Sequence, residues 1–441
     1  MGETAKRFKM PRAIRKFLGA SVLSSVLAIA GCGYVASSVT TRTASLRSDW
    51  GMSLLSGGYV GNGQFPAKFS FDVNAPPDCA NDFVVFNTNH ADSSGASANI
   101  MAFNNLYSTQ GSVGGICNQD GPSVFWSYFN NEGSARTSVA LSLDGSKVAF
   151  VQSGGFGTAV LSILKWKAGE GSGVDSPVAV DQDISGSPWT DCTDGNSCIA
   201  TVAFSPSAQD SISAPYVDYT NDVIYVGDSK GSLHKFTGVF NGTPTEVTSG
   251  WPIIANVNHA LTSPVYDSVS GNIFVGDSSG RLSYVRDTSS TVGSCGSGNP
   301  PCLGALTQQV GTGGAIVDGP MLDSTSGFVF AVNGTDTLHH GTILQANTDL
   351  SIAVQFSIGG TGLTGALYDG AFDQAYYNSS PGSISGFMYV CGKDPASANR
   401  PAIYQLSFTG SAQELVRTRI LGCFLENDEF SLCGRHALSL Q

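Results

Sequence analysis

The stretch that decides the fold is Ser213-Ala-Pro-Tyr-Val-Asp-Tyr-Thr-Asn-Asp-Val-Ile-Tyr-Val-Gly-Asp-Ser-Lys-Gly-Ser-Leu-His-Lys-Phe236. It aligns with Thr262-Ser-Pro-Val-Tyr-Asp-Ser-Val-Ser-Gly-Asn-Ile-Phe-Val-Gly-Asp-Ser-Ser-Gly-Arg-Leu-Ser-Tyr-Val285. In both stretches a Gly-Asp-Ser-x-Gly segment separates two apolar runs, and its glycines permit the positive φ that a tight hairpin turn requires. The pair therefore predicts a repeated unit of short antiparallel strands.

Further copies of this unit lie on both sides. Downstream copies begin at Gly319-Pro-Met-Leu-Asp and at Leu367-Tyr-Asp-Gly-Ala-Phe-Asp, and upstream copies begin at Ser138-Val-Ala-Leu-Ser and, more loosely, at Lys68-Phe-Ser-Phe-Asp. Six units of roughly 50 residues with three or four β-rich runs each are typical of propeller blades. We therefore predict an all-β propeller of six recognisable four-stranded blades over residues 67–410, and leave a seventh blade open.

Composition and charge favour one fold class and argue against one class of ligand. Only 13% of the 441 residues are charged and 54 are glycine, which favours short strands and tight turns over long solvated helices. The net charge is −12, and no Lys/Arg cluster occurs beyond the first sixteen residues. Nucleic-acid binding is excluded on this basis, because an acidic surface repels the phosphate backbone.

The N-terminus has the pattern of an export signal. Six basic residues between Lys6 and Lys16 precede an apolar run, 17–30, that is too short for an ordinary membrane span. We therefore predict a signal peptide over residues 1–32. The following Ser-, Thr- and Gly-rich stretch, 33–66, predicts a flexible tether.

The end of this signal, Ile29-Ala-Gly-Cys32, resembles the bacterial lipobox. The resemblance implies cleavage before Cys32 and lipidation of its thiol, which would anchor the chain to a membrane outside the cytoplasm. Gly33, rather than aspartate, follows the cysteine, which favours the outer membrane where one exists. The alternative is ordinary signal cleavage with Cys32 incidental.

The remaining nine cysteines favour disulfides, because the exported compartment is oxidising and the sequence contains no Cys-x-x-Cys pair. Cys192 and Cys198 flank one polar turn, and Cys295 and Cys302 flank another, so each pair is expected to close a local loop. By elimination we also pair Cys79 with Cys117 and Cys391 with Cys423. Cys433 is then left over.

The chain changes character after residue 410. Residues 411–441 are more charged, have weak helical periodicity and fit none of the blade templates. We therefore predict an atypical C-terminal tail, either an extra element or an altered end, and a ring that closes incompletely there.

Residues 211–290 resemble the repeat of quinoprotein-type (pyrroloquinoline-quinone-like) β-propellers. The resemblance weakens over 136–166 and 315–410 and is only architectural over 67–130. The tryptophan docking motif of the quinoprotein dehydrogenases is missing, so the resemblance implies the fold without the quinone site, and we expect no cofactor. A related group, the lipid-anchored propeller scaffold of outer-membrane protein assembly, shares the lipobox and the propeller, which is an analogy at the level of fold.

Candidate chemistry is sparse. Ser229 and Ser278 follow Gly-Asp and His234 lies nearby, but a turn that is copied between units favours a structural role over a catalytic one. His339 and His340 are a poor metal chelate, because neighbours on a strand point to opposite faces. The turns that begin at Asp267 and Asp323 lack the ligand pattern of a calcium loop and predict Asx-turns.

Glutamates and aromatic residues are the two residue types that bear on glycan chemistry. Glu132, Glu170 and Glu246 are placed in loops, and nothing in the sequence marks any of them as buried. The aromatic residues of the strands are assigned to the core, with sugar stacking as the minority interpretation; they are Trp126, Tyr128, Trp166, Phe236 and Tyr284.

With no catalytic or metal site assigned, the sequence predicts a non-enzymatic binding or scaffold module whose partner is an envelope protein or polysaccharide. The alternatives are a propeller enzyme, either a polysaccharide hydrolase or lyase or a degenerate quinoprotein, and a carbohydrate-binding surface protein.

Overall fold

The computed structural model describes residues 51–55, 58–61, 63–70, 75–90, 95–109, 111, 114–130, 132–154, 158–204, 210–289, 292–334, 341–359, 366–394, 397–409 and 414–422. Cys32 and the predicted signal peptide lie outside these residues, as do His339, His340, Cys423 and Cys433. The described chain is almost entirely β-structure, as the composition predicted.

The first two sheets come from the N-terminal half of the chain. Their strands are β1 (Ala67–Phe69), β2 (Phe83–Asn87), β3 (Ile100–Asn104), β4 (Ser123–Phe129), β5 (Gly133–Ala135), β6 (Ala140–Leu141), β7 (Lys147–Gly154), β8 (Val160–Lys165), β9 (Val178–Ala179), β10 (Gln182–Asp183) and β11 (Cys198–Ala203). Sheet 1 has the order β1-β2-β3-β4-β9, and sheet 2 the order β10-β11-β8-β7-β5, with β6 also paired to β7. A 3-10 turn, Trp189–Asp191, precedes β11.

The two sheets that contain the aligned stretches follow. Sheet 3 comprises β12 (Tyr216–Asp218), β13 (Val223–Gly227), β14 (Ser232–Thr237), β15 (Thr245–Glu246) and β16 (Ile253–Ile254). Sheet 4 comprises β17 (Val265–Asp267), β18 (Asn272–Gly276), β19 (Arg281–Arg286) and β20 (Cys302–Gln309). Each is antiparallel, and its first strand lies at one edge.

The last two sheets, like sheet 4, are four-stranded and antiparallel. Sheet 5 comprises β21 (Met321–Asp323), β22 (Phe328–Asn333), β23 (Gly341–Asn347) and β24 (Ala353–Ile358). Sheet 6 comprises β25 (Ala371–Phe372), the short helix α1 (Gln374–Tyr377), β26 (Phe387–Asp394), β27 (Ser397–Thr409) and β28 (Glu414–Gly422). The described residues thus form six sheets, one for each predicted unit.

Successive side chains of a strand point to opposite sides of its sheet, and in these sheets apolar side chains are buried on both sides. On β13, Ile224 packs towards sheet 2 and its neighbour Tyr225 packs towards sheet 4. On β22, Val329 packs towards sheet 4 and Phe330 towards sheet 6. Each large apolar side chain buried in this way contributes about 1.5–3 kcal/mol. A sheet with two apolar sides needs two neighbours, and this requirement arranges successive sheets side by side.

Inner strands of neighbouring sheets contact one another, β1 with β6, β12 with β17 and β17 with β21, as expected around the axis of a propeller. Near the closure between sheets 6 and 1, the ring of Tyr368, which precedes β25, meets the ring of Phe65, which precedes β1. The two rings are edge to face, with centroids 6.2 Å apart. Residues from the two ends of the repeat region are therefore neighbours at the axis.

The boundary drawn at residue 410 falls inside sheet 6. Residues 414–422, assigned from the sequence to an atypical tail, form β28, which pairs with β27 from Ala402 to Thr409. The charged composition that set this stretch apart is normal for an outer edge strand, where charge discourages pairing with another chain. Sheet 6 is completed by its own fourth strand.

Part of the predicted tether is bound to the propeller. The Tyr59 N–H donates to the Thr88 carbonyl (3.0 Å), and the Phe65 N–H donates to the Ser138 hydroxyl (2.8 Å). A backbone held by such bonds is not a free spacer, so any flexible segment is shorter than residues 33–66.

The structure contains the three disulfides suggested by cysteine spacing and elimination. Cys79 is bonded to Cys117, Cys192 to Cys198, and Cys295 to Cys302. The first joins the β1–β2 connection to the β3–β4 connection, and the other two close short loops beside β11 and β20. The pairing of Cys391 with Cys423 stays a prediction.

Candidate functional site

The residues just before the first strand of each sheet surround the axis. Two residues before the first ladder pair, the six sheets carry Phe65, Ser138, Ala214, Ser263, Gly319 and Asp369. All six are half-buried, whatever their chemical type. We call these six positions, together with the residue preceding each (Gln64, Thr137, Ser213, Thr262, Asp318 and Tyr368), the axial positions.

In sheets 2, 3 and 4 the axial positions carry hydroxyl groups that extend the strand ladder. Thr137, Ser213 and Thr262 accept the backbone N–H of Val151, Gly227 and Gly276 at 3.1, 2.8 and 3.0 Å. The next position links neighbouring sheets, since Ser263 accepts the Ala214 N–H at 2.9 Å. A hydroxyl at these positions therefore has a structural role.

Sheets 5 and 6 replace this pattern with two carboxylates, Asp318 and Asp369, which we call the axial acid pair. Asp318 accepts the N–H of Gly319 (2.9 Å) and the N–H of Asp369 (3.3 Å). No other axial position carries a charged residue. The pair is therefore a local concentration of negative charge without a cation among the axial positions.

Burial and proximity favour protonation of this pair. Burial, together with the neighbouring charge of Asp318, raises the pKa of Asp369 well above its ordinary value. Burial also raises the pKa of Asp318, although its two backbone hydrogen bonds act in the opposite direction. The negative charge of Asp318 therefore favours the protonated, proton-donating form of Asp369.

A second polar cluster lies inside sheet 3. His234, fully buried on β14, is 2.6 Å from Glu246 through Nδ1 and 3.2 Å from Asp228 through Nε2. Burial alone would lower the pKa of His234, but the hydrogen bonds to the two carboxylates outweigh it and raise that pKa above its ordinary value. The same contact with His234, together with backbone N–H donors, outweighs burial at Asp228 and lowers its pKa. The cluster is a closed ion network without solvent access at the imidazole.

The contacts of His234 bear on whether Ser229 or Ser278 is a catalytic nucleophile. His234 bonds to carboxylates and not to Ser229, whose N–H donates to the Asp210 carbonyl at 3.1 Å. The corresponding turn serine in sheet 4, Ser278, is 3.5 Å from His259 Nδ1 and partly exposed. Neither serine has the His and carboxylate geometry of an activated nucleophile, so the structural interpretation of these turns is supported.

Glu246 was wrongly placed in a loop. It lies on β15 opposite Phe236, and its side chain is only 5% exposed. Sequence reasoning missed it because twelve residues separate it from His234 along the chain. The one available signal was the histidine itself, at a strand position within an apolar run.

The remaining sequence assignments concern turns and aromatics. Asp267 accepts the N–H of Val269 and Ser270, and Asp323 accepts those of Thr325 and Ser326, so both are Asx-turns as predicted. The aromatic residues assigned to the core are fully buried, except Trp166, which is partly buried against the same cluster as Trp126.

A surface feature that the sequence did not reveal lies on one face of the ring. We define the hairpin face as the side on which the first strand of each sheet turns into the second, and the third into the fourth. Every sheet places one large apolar side chain in such a turn, each between 43% and 74% exposed. We call these the apolar tips: Ile116, Leu143, Tyr219, Val269, Ile352 and Tyr377.

The described residues offer neither a metal site nor a membrane-spanning helix. No group of three or more His, Cys, Asp or Glu side chains in this part of the chain is placed to hold a metal ion. None of the helices described here is long and apolar enough to cross a membrane.

Comparison with known proteins gives similarity to solved structures. A 6-phosphogluconolactonase candidate from Bacteroides uniformis matches with 12% identity, over 78% of this chain and 84% of that chain, and a TM-score of 0.43. The Cps50 (Swd1) β-propeller domain of Myceliophteria thermophila matches with 8% identity, over 81% and 89%, and a TM-score of 0.40. BamB from Moraxella catarrhalis matches with 11% identity, over 81% and 87%, and a TM-score of 0.35. No family model matches the chain, and no curated protein matches it significantly.

Proposed function

We propose that this chain is a lipid-anchored, extracytoplasmic β-propeller that acts as a non-enzymatic protein-binding or scaffold module of a bacterial cell envelope. The observation that carries the proposal is the set of apolar tips on the hairpin face. Scattered single apolar residues are normal on a protein surface. We take the occurrence of one such residue in every sheet, always on the same face, as the support for docking there.

Two features support the location. The described residues contain three disulfides. Disulfides persist in an oxidising compartment and are rare in a reducing cytosol. The export pattern before Cys32 and the resemblance of its surroundings to a lipobox favour a lipid anchor. Metabolic labelling with a fatty-acid probe is expected to label the protein with its natural sequence, and this labelling should be lost in Cys32→Ala. Unchanged labelling would refute the anchor.

Docking is tested by photocrosslinking in intact cells. A photoreactive amino acid placed at Val269 or Tyr377 is expected to give an adduct of defined mass. The same amino acid at Val257, which is 61% exposed in the loop that follows β16, is the matched control and is expected to give none.

A variant separates docking from folding. The double substitution Val269→Asp and Ile352→Asp introduces charge at two exposed tips, so it should abolish the adduct formed from Tyr377 while leaving the melting temperature unchanged. Equal adducts from both faces, or none from the tips, would overturn the protein-binding proposal.

The axial acid pair favours a second candidate, an acid-base hydrolase that acts on envelope polysaccharide. In the proposed reaction Asp369, with its raised pKa, would protonate the leaving oxygen of the glycosidic bond, and Asp318 would take the proton of the water that attacks the anomeric carbon. The test is release of reducing sugars from purified envelope polysaccharide by the full-length protein. Release that disappears in Asp369→Asn supports the hydrolase, and no release from the unmodified protein removes it.

A further inference from the structure

Each turn that carries an apolar tip is also capped by an aspartate. Asp144, which follows Leu143, accepts the N–H of Ser146 at 3.0 Å. The six capping aspartates, in the order of the tips, are Asp120, Asp144, Asp218, Asp267, Asp349 and Asp373. An exposed apolar side chain and a carboxylate therefore recur together around the hairpin face.

Hydrogen bonds hold two of these carboxyl groups in the charged form. Burial would raise the pKa of Asp144, but the hydrogen bonds from Ser142 and Ser146 outweigh burial and lower that pKa. At Asp349 burial is outweighed in the same way by the hydroxyl and the N–H of Ser351, and the pKa is lowered. Both groups are therefore negatively charged at neutral pH.

The six carboxylates lack ion-pair partners. Within the described part of the chain, no Lys or Arg nitrogen lies within 4.0 Å of any of them. The connections that carry the tips contain no Lys or Arg at all; they are residues 105–122, 142–146, 219–222, 268–271, 348–352 and 373–386. The negative charge beside the tips is therefore not neutralised within its own turns.

Sheet 2 is a sector in which lysines reduce this charge. Lys147 interacts with Asp144 and with Asp222, so it balances only one of these two carboxylates. Lys167 lies 3.0 Å from Glu170, which already balances it. Sheets 3, 4 and 5 therefore give a clearer view of the charge preference of the hairpin face.

The opposite face differs outside the axial acid pair. Asp210 lies 3.8 Å from Arg136, and Asp277 lies 3.8 Å from Arg281. A third basic residue of this face, Lys230, lies in the turn between β13 and β14. Carboxylates without arginine partners next to exposed apolar side chains are therefore a feature of the hairpin face and not only of the acidic composition.

We infer that the partner of the hairpin face is a basic polypeptide segment, in which Lys or Arg side chains lie between large apolar side chains. The apolar side chains would cover the tips, and the cations would pair with the carboxylates of the same turns. This inference rests on the proposed docking function, because it names the chemistry of the partner that the apolar tips would bind.

Charge also separates this partner from other occupants of the same face. A second copy of the chain would bring the same six carboxylates, and like charges placed opposite one another oppose association. A membrane surface rich in acidic lipids would meet the same repulsion. A basic segment gains from the charge in both specificity and rate of association.

The test uses the purified full-length protein in a nonionic detergent, with the photoreactive amino acid at Val269. Three blocked peptides are compared: acetyl-Leu-Lys-Lys-Leu-Lys-Lys-Leu-amide, the same peptide with Glu for Lys, and the same peptide with Ser for Leu. Affinity is read as the peptide concentration that gives half-maximal adduct formation, which restricts the measurement to the hairpin face. Val257 again provides the position at which no adduct is expected.

The lysine peptide is expected to bind about ten-fold or more tightly than the glutamate peptide, because the glutamates meet like charge. The serine peptide should bind more weakly than the lysine peptide, because it leaves the apolar tips uncovered. Raising the salt from about 0.05 M to about 0.5 M should weaken binding of the lysine peptide, because exposed charges are screened.

Charge removal on both sides of Val269 locates the effect. Asp218→Asn together with Asp349→Asn neutralises the capping residues of sheets 3 and 5, and asparagine still caps a turn of this kind. The lysine peptide should then bind about five-fold more weakly, because two exposed ion pairs are lost. The matched control, Asp175→Asn with Asp210→Asn, removes two carboxylates away from the hairpin face and should leave binding unchanged.

A second variant keeps the test decisive if the double variant does not fold. Ser268→Lys adds a cation at an exposed position next to Val269 and leaves every capping aspartate in place. It should weaken binding of the lysine peptide and strengthen binding of the glutamate peptide. Unchanged affinities for both peptides would overturn the inference.

The remaining outcomes separate this inference from the proposed function. Equal binding of the lysine and glutamate peptides, or equal binding of the lysine and serine peptides, overturns the basic and apolar partner. So does an adduct in intact cells that has the mass of a second copy or of a phospholipid. If a protein adduct persists in cells without the peptide preference, the docking function stands with another partner chemistry. If the preference holds and no adduct forms in cells, the inferred chemistry of the face stands and the docking function fails.

Discussion

Sheets 3 and 4 share one backbone pattern and differ in the chemistry of their interiors. Asp228 of sheet 3 and Asp277 of sheet 4 occupy corresponding turns. Each aspartate accepts two backbone N–H groups of its own turn through Oδ1. In sheet 3 the other oxygen of the aspartate faces His234, and in sheet 4 the position of the histidine is occupied by Ser283.

The rest of each network follows this difference. Glu246, which completes the network of sheet 3, lies opposite Phe236, whereas the equivalent residue of sheet 4 is Leu303, opposite Val285. Asp277 instead accepts a hydrogen bond from Asn256 at 2.6 Å, a residue of the loop that follows sheet 3. The comparison teaches that the repeat fixes the turn, while substitutions behind the turn decide the partner of its aspartate. In sheet 3 this partner is a buried histidine, and in sheet 4 it is the amide of Asn256 together with the guanidinium group of Arg281.

The largest expected effect is that of His234→Ala. Removal of the imidazole leaves the carboxylates of Asp228 and Glu246 buried without the group that lies between them, and breaking a buried ion network in this way costs about 3–5 kcal/mol. The free energy of unfolding, from denaturant titration, checks the prediction. A loss below about 1 kcal/mol would mean that the network carries little of the stability of sheet 3.

The second effect is a dependence of stability on pH. Because the pKa of His234 is raised in the folded state, its contribution is complete below its ordinary pKa and is lost as the pH rises through the raised value. Asp228 has a lowered pKa, so its contribution is present above the ordinary aspartate pKa and is lost as the pH falls through the lowered value.

Melting temperatures of the unmodified protein and of His234→Gln, measured from neutral to alkaline pH, test this sign. The unmodified protein should lose more stability than the variant as the pH rises, because only it has the titrating imidazole. Parallel curves would show that His234 does not change its protonation on unfolding. Ser283→Ala serves as the control and should follow the curve of the unmodified protein.

A smaller effect is expected from Asn256→Ala, which removes a hydrogen bond to Asp277 of sheet 4. Asp277 loses one donor but keeps its backbone N–H bonds and the nearby guanidinium group of Arg281, at 3.8 Å. The cost should be about 0.5–1.5 kcal/mol in unfolding free energy. A cost as large as that of His234→Ala would show that sheet 4 depends on its polar network as strongly as sheet 3 does.

The smallest effect is expected from Ser283→Ala. The Ser283 hydroxyl is buried and has no hydrogen-bond partner in the described structure, so its removal relieves an unsatisfied group and leaves the packing nearly unchanged. The unfolding free energy should change by less than about 0.5 kcal/mol. A clear loss would reveal a partner for this hydroxyl, such as a bound water molecule.

Repetition explains what the sequence could predict. The aligned copies located the sheets, and the Asx-turns at Asp267 and Asp323 followed from local chemistry, because a turn depends on residues that are adjacent in sequence. Strand β28 was missed, since an outer edge strand tolerates charges that weaken the apolar pattern.

The candidate sites depend on residues that are distant in sequence. Asp318 and Asp369 are 51 residues apart and meet only because their sheets are neighbours at the axis. Alignment of the copies contains one sign of this site. Asp318 occupies the position at which sheets 3 and 4 have the hydroxyl residues Ser213 and Thr262. The apolar tips had no such signal, because exposure of a turn residue depends on the packing of neighbouring sheets.

The four strands β25 to β28 of sheet 6 come from one continuous stretch of chain, as do β1 to β4 of sheet 1, so no strand is shared between the two ends of the repeat region. During synthesis from the N-terminus, β1 to β4 of the first sheet are therefore made long before the strands of sheet 6, and β9 completes sheet 1 once residue 179 has been made. Until its successor arrives, each finished sheet exposes one apolar side to solvent, a state prone to aggregation. Sheet 1 also keeps the side that meets sheet 6 uncovered until the ring closes, so the first sheet and the newest sheet are both exposed during synthesis.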